Sequence, residues 1–162
     1  HLQFKNYYRK KNFDKRVGYG GNASFFLEPL EATSISSMDM VQRFAYDIWV
    51  DDKDVEKVNN DYTLHFEKIE TFLMLHYYAG SKFDTPFWDF AIKRGENKIK
   101  SIHTSDYKEH FIDTLKMVKM SDSLDIRTLK NTTFSVWPIK PSMKDHIYNL
   151  GIFDKLCKEF NV

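Results

Sequence analysis

The stretch Val17 to Ile35, VGYGGNASFFLEPLEATSI, gathers the residue types in this chain best suited to chemistry. Gly18, Gly20 and Gly21 lead to Asn22, two carboxylates (Glu28 and Glu31) flank Pro29, and a helical period of apolar residues begins a few positions later. Glycines let a backbone approach a ligand closely. A helix start collects unpaired N–H groups and the positive end of the helix dipole, which suits an anion or the electron-rich edge of a cofactor. A plainer reading is that Glu28 and Glu31 complement the dipole while Pro29 shapes the turn. The residues of this segment, taken alone, support both.

The elements that must position this segment follow from periodicity. Ahead of the glycines, Phe4, Tyr7 and Tyr8 have high strand propensity and read as extended. Ile35, Met38, Val41, Phe44, Ala45 and Ile48 recur at spacings of three and four, predicting an amphipathic helix capped by Thr33 or Ser34. A second helix carries Tyr62, Phe66, Ile69, Phe72, Leu73, His76 and Tyr77 on one face and ends at Gly80. Asp84-Thr85-Pro86 opens a third, short helix with proline at its first position. Asp106 and Glu109 form a capping-box pattern ahead of Phe111, Leu115 and Val118, and Ser142 with Asp145 begins another helix. Ser121 to Asn131 reads as a loop or a weak helix. The fold class expected is mainly α with a short β element at the N-terminus.

Composition narrows the classes of function. With 24 Lys plus Arg against 23 Asp plus Glu, the 162-residue chain has a formal charge of only +1, which argues against a protein built around a polyanion. Residues 1 to 16 nevertheless hold six cations and one Asp, interleaved with Phe4, Tyr7, Tyr8 and Phe13. Single-stranded nucleic-acid grooves use that combination, so a helical interaction module with a basic, aromatic arm is one alternative, against the expectation of a solvated strand edge. Nucleic acid is not the expected partner. No run approaches the ~18 apolar residues of a spanning helix and no signal peptide is evident, so a cytoplasmic protein without membrane contact is expected. The single cysteine, Cys157, cannot form an internal bridge. The chain contains no nucleotide-binding P-loop, H-E-x-x-H, C-x-x-C or G-x-S-x-G motif. His103 and His110 lie seven residues apart without a third ligand, so no metal is expected, and His76 is expected as a hydrogen-bonded core histidine.

Two segments resemble one known family. Phe26-Leu27-Glu28-Pro29-Leu30-Glu31-Ala32-Thr33 is similar to the E-P-L-E-S-T-G segment of flavin-dependent tryptophan halogenases, and Val17 to Ser24 resembles the strand and glycine turn preceding it there. His76-Tyr77, followed by Phe83-Asp84-Thr85-Pro86-Phe87-Trp88, resembles the family's H-Y and R-x-D-T-P-F-W in the same order. The likeness spans about residues 15 to 140. It implies electrophilic halogenation of an indole or similar aromatic ring, with reduced flavin (FAD), oxygen and halide. By resemblance Glu31 is the catalytic carboxylate on the substrate side, Thr33 and Ser34 lie at the halide, and Gly21, Asn22, Pro29 and Leu30 lie along the flavin. Phe134 and Trp137 are matched to a substrate-stacking aromatic pair.

The departures are equally specific. Ala32 and Ser34 stand where the family has serine and glycine, and a positive φ at position 34 would strain a serine by roughly 1 to 2 kcal/mol. Ser34 also keeps open a flavin monooxygenase relative that hydroxylates without halogenating. The dinucleotide fingerprint, the tryptophan-rich motif and the catalytic lysine belong to sequence that would precede His1. The resemblance therefore implies the C-terminal third of a larger α/β FAD-binding fold, with residues 1–24 a remnant of the flavin-binding domain and residues 25–162 the helical, substrate-side region. Neither activity nor FAD binding is expected of this chain alone. Its partners would be the missing flavin-binding half, or a second copy through an unpaired strand edge.

Overall fold

Apolar residues at helical spacing, interrupted by well-placed caps, make most of the chain helical. A computed structural model describes residues 5–27, 33–120 and 151–162. Two short strands, β1 (Tyr7–Tyr8) and β2 (Phe25–Phe26), pair antiparallel. Five helices follow: α1 (Thr33–Trp49), α2 (Val55–Ala79), α3 (Pro86–Ile102), α4 (Lys108–Met120) and α5 (Phe153–Phe160). The chain divides into two compact units, His1–Glu70 and Thr71–Val162, with α2 running from the first into the second.

In the first unit the N-terminal hairpin lies on the aromatic face of α2. The rings of Phe25 and Tyr62 lie 4.6 and 4.7 Å from that of Phe66, and Tyr8 stacks on Phe66 at 5.7 Å. Phe25, Tyr62 and Phe66 are fully buried, so much of the unit's apolar burial is aromatic. The α1 stripe that faces inward is Ser37, Val41, Phe44 and Ile48. Ile35 and Met38, expected on that stripe, are instead 73% and 40% exposed. The reason is geometric: α1 carries apolar residues on two faces, and spacing alone does not say which one is covered. A tight turn with Asp52 at φ +51° then leads to α2, whose start at Val55 is earlier than the apolar pattern implied because the Asp54 carboxylate accepts from Lys57 N at 2.8 Å.

The second unit is built from apolar helix faces. Gly80 ends α2 with φ +78°, as its position predicted. Thr85 Oγ1 accepts from Trp88 N at 3.4 Å and Pro86 occupies the first helical position, confirming that start, but the helix expected to be short runs 17 residues. Its packing on α2 depends on Gly95. A Cβ there would lie 2.5 Å from Tyr78 N and 2.9 Å from Met74 O, so the backbones of α2 and α3 approach more closely than any side chain would allow. Helix α4 starts at Lys108, one residue later than an Asp106 cap requires, and buries Phe111 and Leu115. Helix α5, which the sequence analysis did not anticipate, buries Phe153, Leu156, Cys157 and Phe160, and its C-cap Asn161 adopts φ +57°. Ser121 to Asn131, Ser142 and Asp145 lie outside the described residues.

Candidate functional site

The glycine-rich turn is held to α2 by hydrogen bonds from side chains that no motif singled out. Asn59 Oδ1 accepts from the backbone N–H groups of Asn12 and Phe13 at 2.8 and 2.9 Å, while its Nδ2 donates to Phe13 O at 2.9 Å and Val55 O at 3.0 Å. One amide thus ties the first hairpin loop to the helix. Tyr62 Oη donates to Ser24 O at 3.0 Å and meets Ser24 Oγ at 2.9 Å. Tyr8 Oη donates to Glu67 Oε2 at 2.6 Å. Burial, the Glu67 hydrogen bond and the nearby carboxylates together raise the Tyr8 hydroxyl far above its ordinary range, and burial also raises Tyr62 against the opposing Ser24 bond. Both phenols stay protonated and donating.

These contacts also decide the fate of the basic, aromatic arm. Phe13 is 5% exposed and Tyr8 half-buried, so two of its rings serve the interior. The Arg9 guanidinium covers the Tyr19 ring at 3.8 Å while Nε donates to Ala23 O at 2.7 Å. Arg9 and Tyr19, already meeting one another, and the buried Phe13 ring are not open to stacking on a base.

Beyond this anchorage the turn presents bare backbone. Gly18 makes a single bridge to Phe13, and a Cβ on it would lie 2.8 Å from that ring, so only glycine fits. Gly21–Ala23 is one turn of 3₁₀ helix, with Gly21 at φ +52°. A Cβ built on Gly20 or Gly21 meets nothing within 4 Å, leaving room against that backbone for the edge of a flat group. Asn22 is exposed, with its carbonyl oxygen accepting from Tyr7 Oη.

Thr33 and Ser34 form the first turn of α1, and Ser34 is half-buried. The only described non-glycine residues with positive φ are Asp52 and Asn161, so Ser34 carries none of the strain considered above. Glu31, Pro29, Leu30, Phe134 and Trp137 lie outside the described residues.

His103 closes α3 and His110 lies within α4, so they do not share a helix. His103 stacks on Phe160 at 4.2 Å and its Nε2 lies 3.4 Å from Glu159 Oε1. Half-buried His76 bonds Phe72 O through Nδ1 at 2.9 Å. No group of three or more potential metal ligands occurs among the described residues, and no described helix is long and apolar enough to cross a membrane. His65, which belongs to no motif, is buried against Phe44 and Phe66 with no partner for Nε2, and burial lowers its pKa to about 4. Asn59 was the findable signal: an Asn inside an apolar helical period competes with the backbone unless its amide is used elsewhere.

Comparison with known proteins gives consistent results. The family profile described as "Tryptophan halogenase" matches residues 1–122. The tryptophan 6-halogenase ThaL of Streptomyces albogriseolus is 29% identical over 92 residues, covering 54% of this chain and 17% of the relative. The match therefore takes in only a small part of that relative's length. No solved structure matches.

Proposed function

The chain belongs to the tryptophan halogenase family, a flavin-dependent family, and from that premise we propose that it is the substrate-side, C-terminal portion of a flavin-dependent halogenase acting on an indole or similar aromatic ring. The observation that carries the reading is the family match across residues 1–122, which contains both the Glu28-Pro29-Leu30-Glu31 segment and Thr85-Pro86-Phe87-Trp88. Residues 1–24 would then belong with the flavin-binding domain and residues 25–162 with the substrate-side region. Reduced flavin, when bound, supplies with oxygen and halide the hypohalous oxidant.

The work of this chain's residues is to position and to move a proton. Gly21 and Asn22, with Pro29 and Leu30, would lie along the flavin, where the absence of side chains at Gly20 and Gly21 leaves the backbone open. The first-turn amides at Thr33 and Ser34 would hold halide, since a helix start presents N–H donors and a positive dipole end. A helical φ at Ser34 lets its amide serve without a glycine. At the substrate, the ring's C–halogen bond would form as the HO–halogen bond breaks, and the proton the ring releases on rearomatising would pass to Glu31 and from it to the departing hydroxide, which leaves as water. Phe134 and Trp137 would stack on the substrate ring.

The test uses the natural polypeptide that carries this chain, with reductase-supplied reduced FAD, bromide and tryptophan or indole. Mass spectrometry is expected to find the paired isotope peaks of a brominated ring, and Glu31→Gln is expected to lower that rate by about 10² to 10⁴ while flavin binding persists. A hydroxylated product in place of the brominated one, or no halide-dependent product at all, would overturn the reading.

A further inference from the structure

The glycine turn at residues 20–23 has a buried footing at each end. Asn12 is fully buried on the side where the chain enters; its Nδ2 donates to Tyr19 O at 3.0 Å and its own carbonyl oxygen accepts from Tyr19 N at 3.2 Å. Asn12 N donates in its turn to Asn59 Oδ1 at 2.8 Å. Ser24 is fully buried on the side where the chain leaves, and its carbonyl oxygen accepts from Arg9 N at 3.1 Å and from Tyr62 Oη at 3.0 Å. Each end therefore has one backbone bond and one side-chain bond. Both lines finish on α2, at Asn59 and Tyr62, whose spacing of three puts them on one helix face.

Stability does not account for Asn12. Its Oδ1 is buried with no partner, and an acceptor so placed costs free energy that an apolar side chain of the same size would not. What the residue supplies is direction, because a hydrogen bond fixes distance and angle where apolar contact fixes neither. The turn needs that. A Cβ on Gly20 or Gly21 would touch nothing, and the Tyr7 hydroxyl on Asn22 O is an exposed contact, so the turn is placed by its two ends rather than by packing along its length.

We infer, on the reading that this turn lies along the flavin, that Asn12 and Tyr62 are positioning residues for that cofactor. They hold the two ends so that the bare backbone between them is in place before the flat ring system binds. A backbone ordered only on binding subtracts the cost of its ordering from affinity, and one held in advance does not. Asn59 acts through Asn12.

Measurements on the natural polypeptide that carries this chain separate this role from a merely structural one. Asn12→Leu keeps the volume while removing one donor and the unpaired acceptor, and Tyr62→Phe removes one hydroxyl. Ile69→Val trims a buried side chain on α2 about two turns beyond Tyr62, outside both lines of hydrogen bonds, and is the control for lost stability. The Ala23 and Ser24 amides, which donate to Gly20 O and Gly21 O, report on the turn without cofactor. Their hydrogen exchange is expected to quicken about tenfold in Asn12→Leu and in Tyr62→Phe, and to stay within about twofold of wild type in Ile69→Val. The dissociation constant of oxidised FAD, read from fluorescence quenching, is expected to rise about threefold in each of the first two variants and about tenfold in their combination. The visible circular dichroism of the bound flavin is expected to change with it, and neither signal to move in Ile69→Val. Unchanged exchange in both variants would overturn the inference. Quickened exchange with unaltered FAD affinity would also overturn it, assigning the two residues to the hairpin alone. A wild-type polypeptide that binds no FAD would overturn the flavin-side reading and this inference with it.

Discussion

The two units of this chain are held together by different means. In the first, a hairpin with little secondary structure of its own is fastened to α2 by side-chain hydrogen bonds from Asn59, Tyr62 and Tyr8. In the second, helices pack through apolar faces and one close approach at Gly95. A glycine-rich turn that must expose its backbone cannot also cover it, so its position has to be fixed from below by donors and acceptors of defined geometry. Helices satisfy their own backbones and need only surface and fit. The proposed flavin-side turn lies in the hydrogen-bonded unit, where single polar atoms decide position.

The largest effect that would test this contrast is Asn59→Ala. It leaves the N–H groups of Asn12 and Phe13 and the carbonyl of Phe13 buried without their partner, and should cost about 4 kcal/mol in urea unfolding. A cost below about 1 kcal/mol would mean that the hairpin is held by its aromatic rings.

His65 sharpens the same point through pH. Its ordinary pKa is about 6.5 and burial holds it at about 4, so the unfolded chain takes up a proton that the folded chain refuses. Stability from this group is fully present above pH 6.5 and is lost as pH falls from there through about 4, reaching roughly 3 kcal/mol lost at pH 4. The pH dependence of unfolding in His65→Leu, subtracted from that of wild type, should show this one-proton slope over that window. Equal slopes would mean that Nε2 is solvated in the folded chain.

On the other side of the contrast, Gly95→Ala should cost about 2 kcal/mol. The alanine gains about 1 kcal/mol of helix propensity, but its Cβ would lie 2.5 Å from Tyr78 N, a backbone atom with no rotamer to yield. Thermal melts that show stabilisation would mean that α3 can slide along α2 without loss.

How much of this was legible in the sequence depended on range. Thr85-Pro86 and Gly80 act within one turn of their own helices, and both were readable because their partners are close in sequence. Asn59 bonds residues 46 and 47 positions away, so nothing in its neighbourhood states its role. Periodicity found α1 but not its inner face: Ile35 and Met38 obey the same spacing as Val41 and Phe44 and lie outside. Basic and aromatic residues near the N-terminus gave a pattern shared by nucleic-acid grooves and by a hairpin that buries its rings, and only the contacts of Tyr8 and Phe13 separate the two. In the candidate site, the glycine turn was readable from local signals and the start of α1 nearly so, Thr33 and Ser34 lying in its first turn rather than capping it, whereas the α2 side chains that fix the turn were not.

The smallest effect compares one atom in both units. Tyr62→Phe removes a hydroxyl that serves both Ser24 O and Ser24 Oγ in a site with no exposure, and should cost about 1 to 1.5 kcal/mol because Ser24 loses a partner where water cannot replace it. Tyr78→Phe removes a hydroxyl that donates to Glu159 Oε2 at 3.1 Å, yet Glu159 keeps His103 at 3.4 Å and its side chain is 29% exposed. Water can take the vacated position, so the loss should be within about 0.5 kcal/mol. Equal costs in the two variants would erase the distinction between a unit fixed by polar atoms and one fixed by packing. A larger cost at Tyr62 would locate the rigidity of the glycine turn in a single phenol of α2.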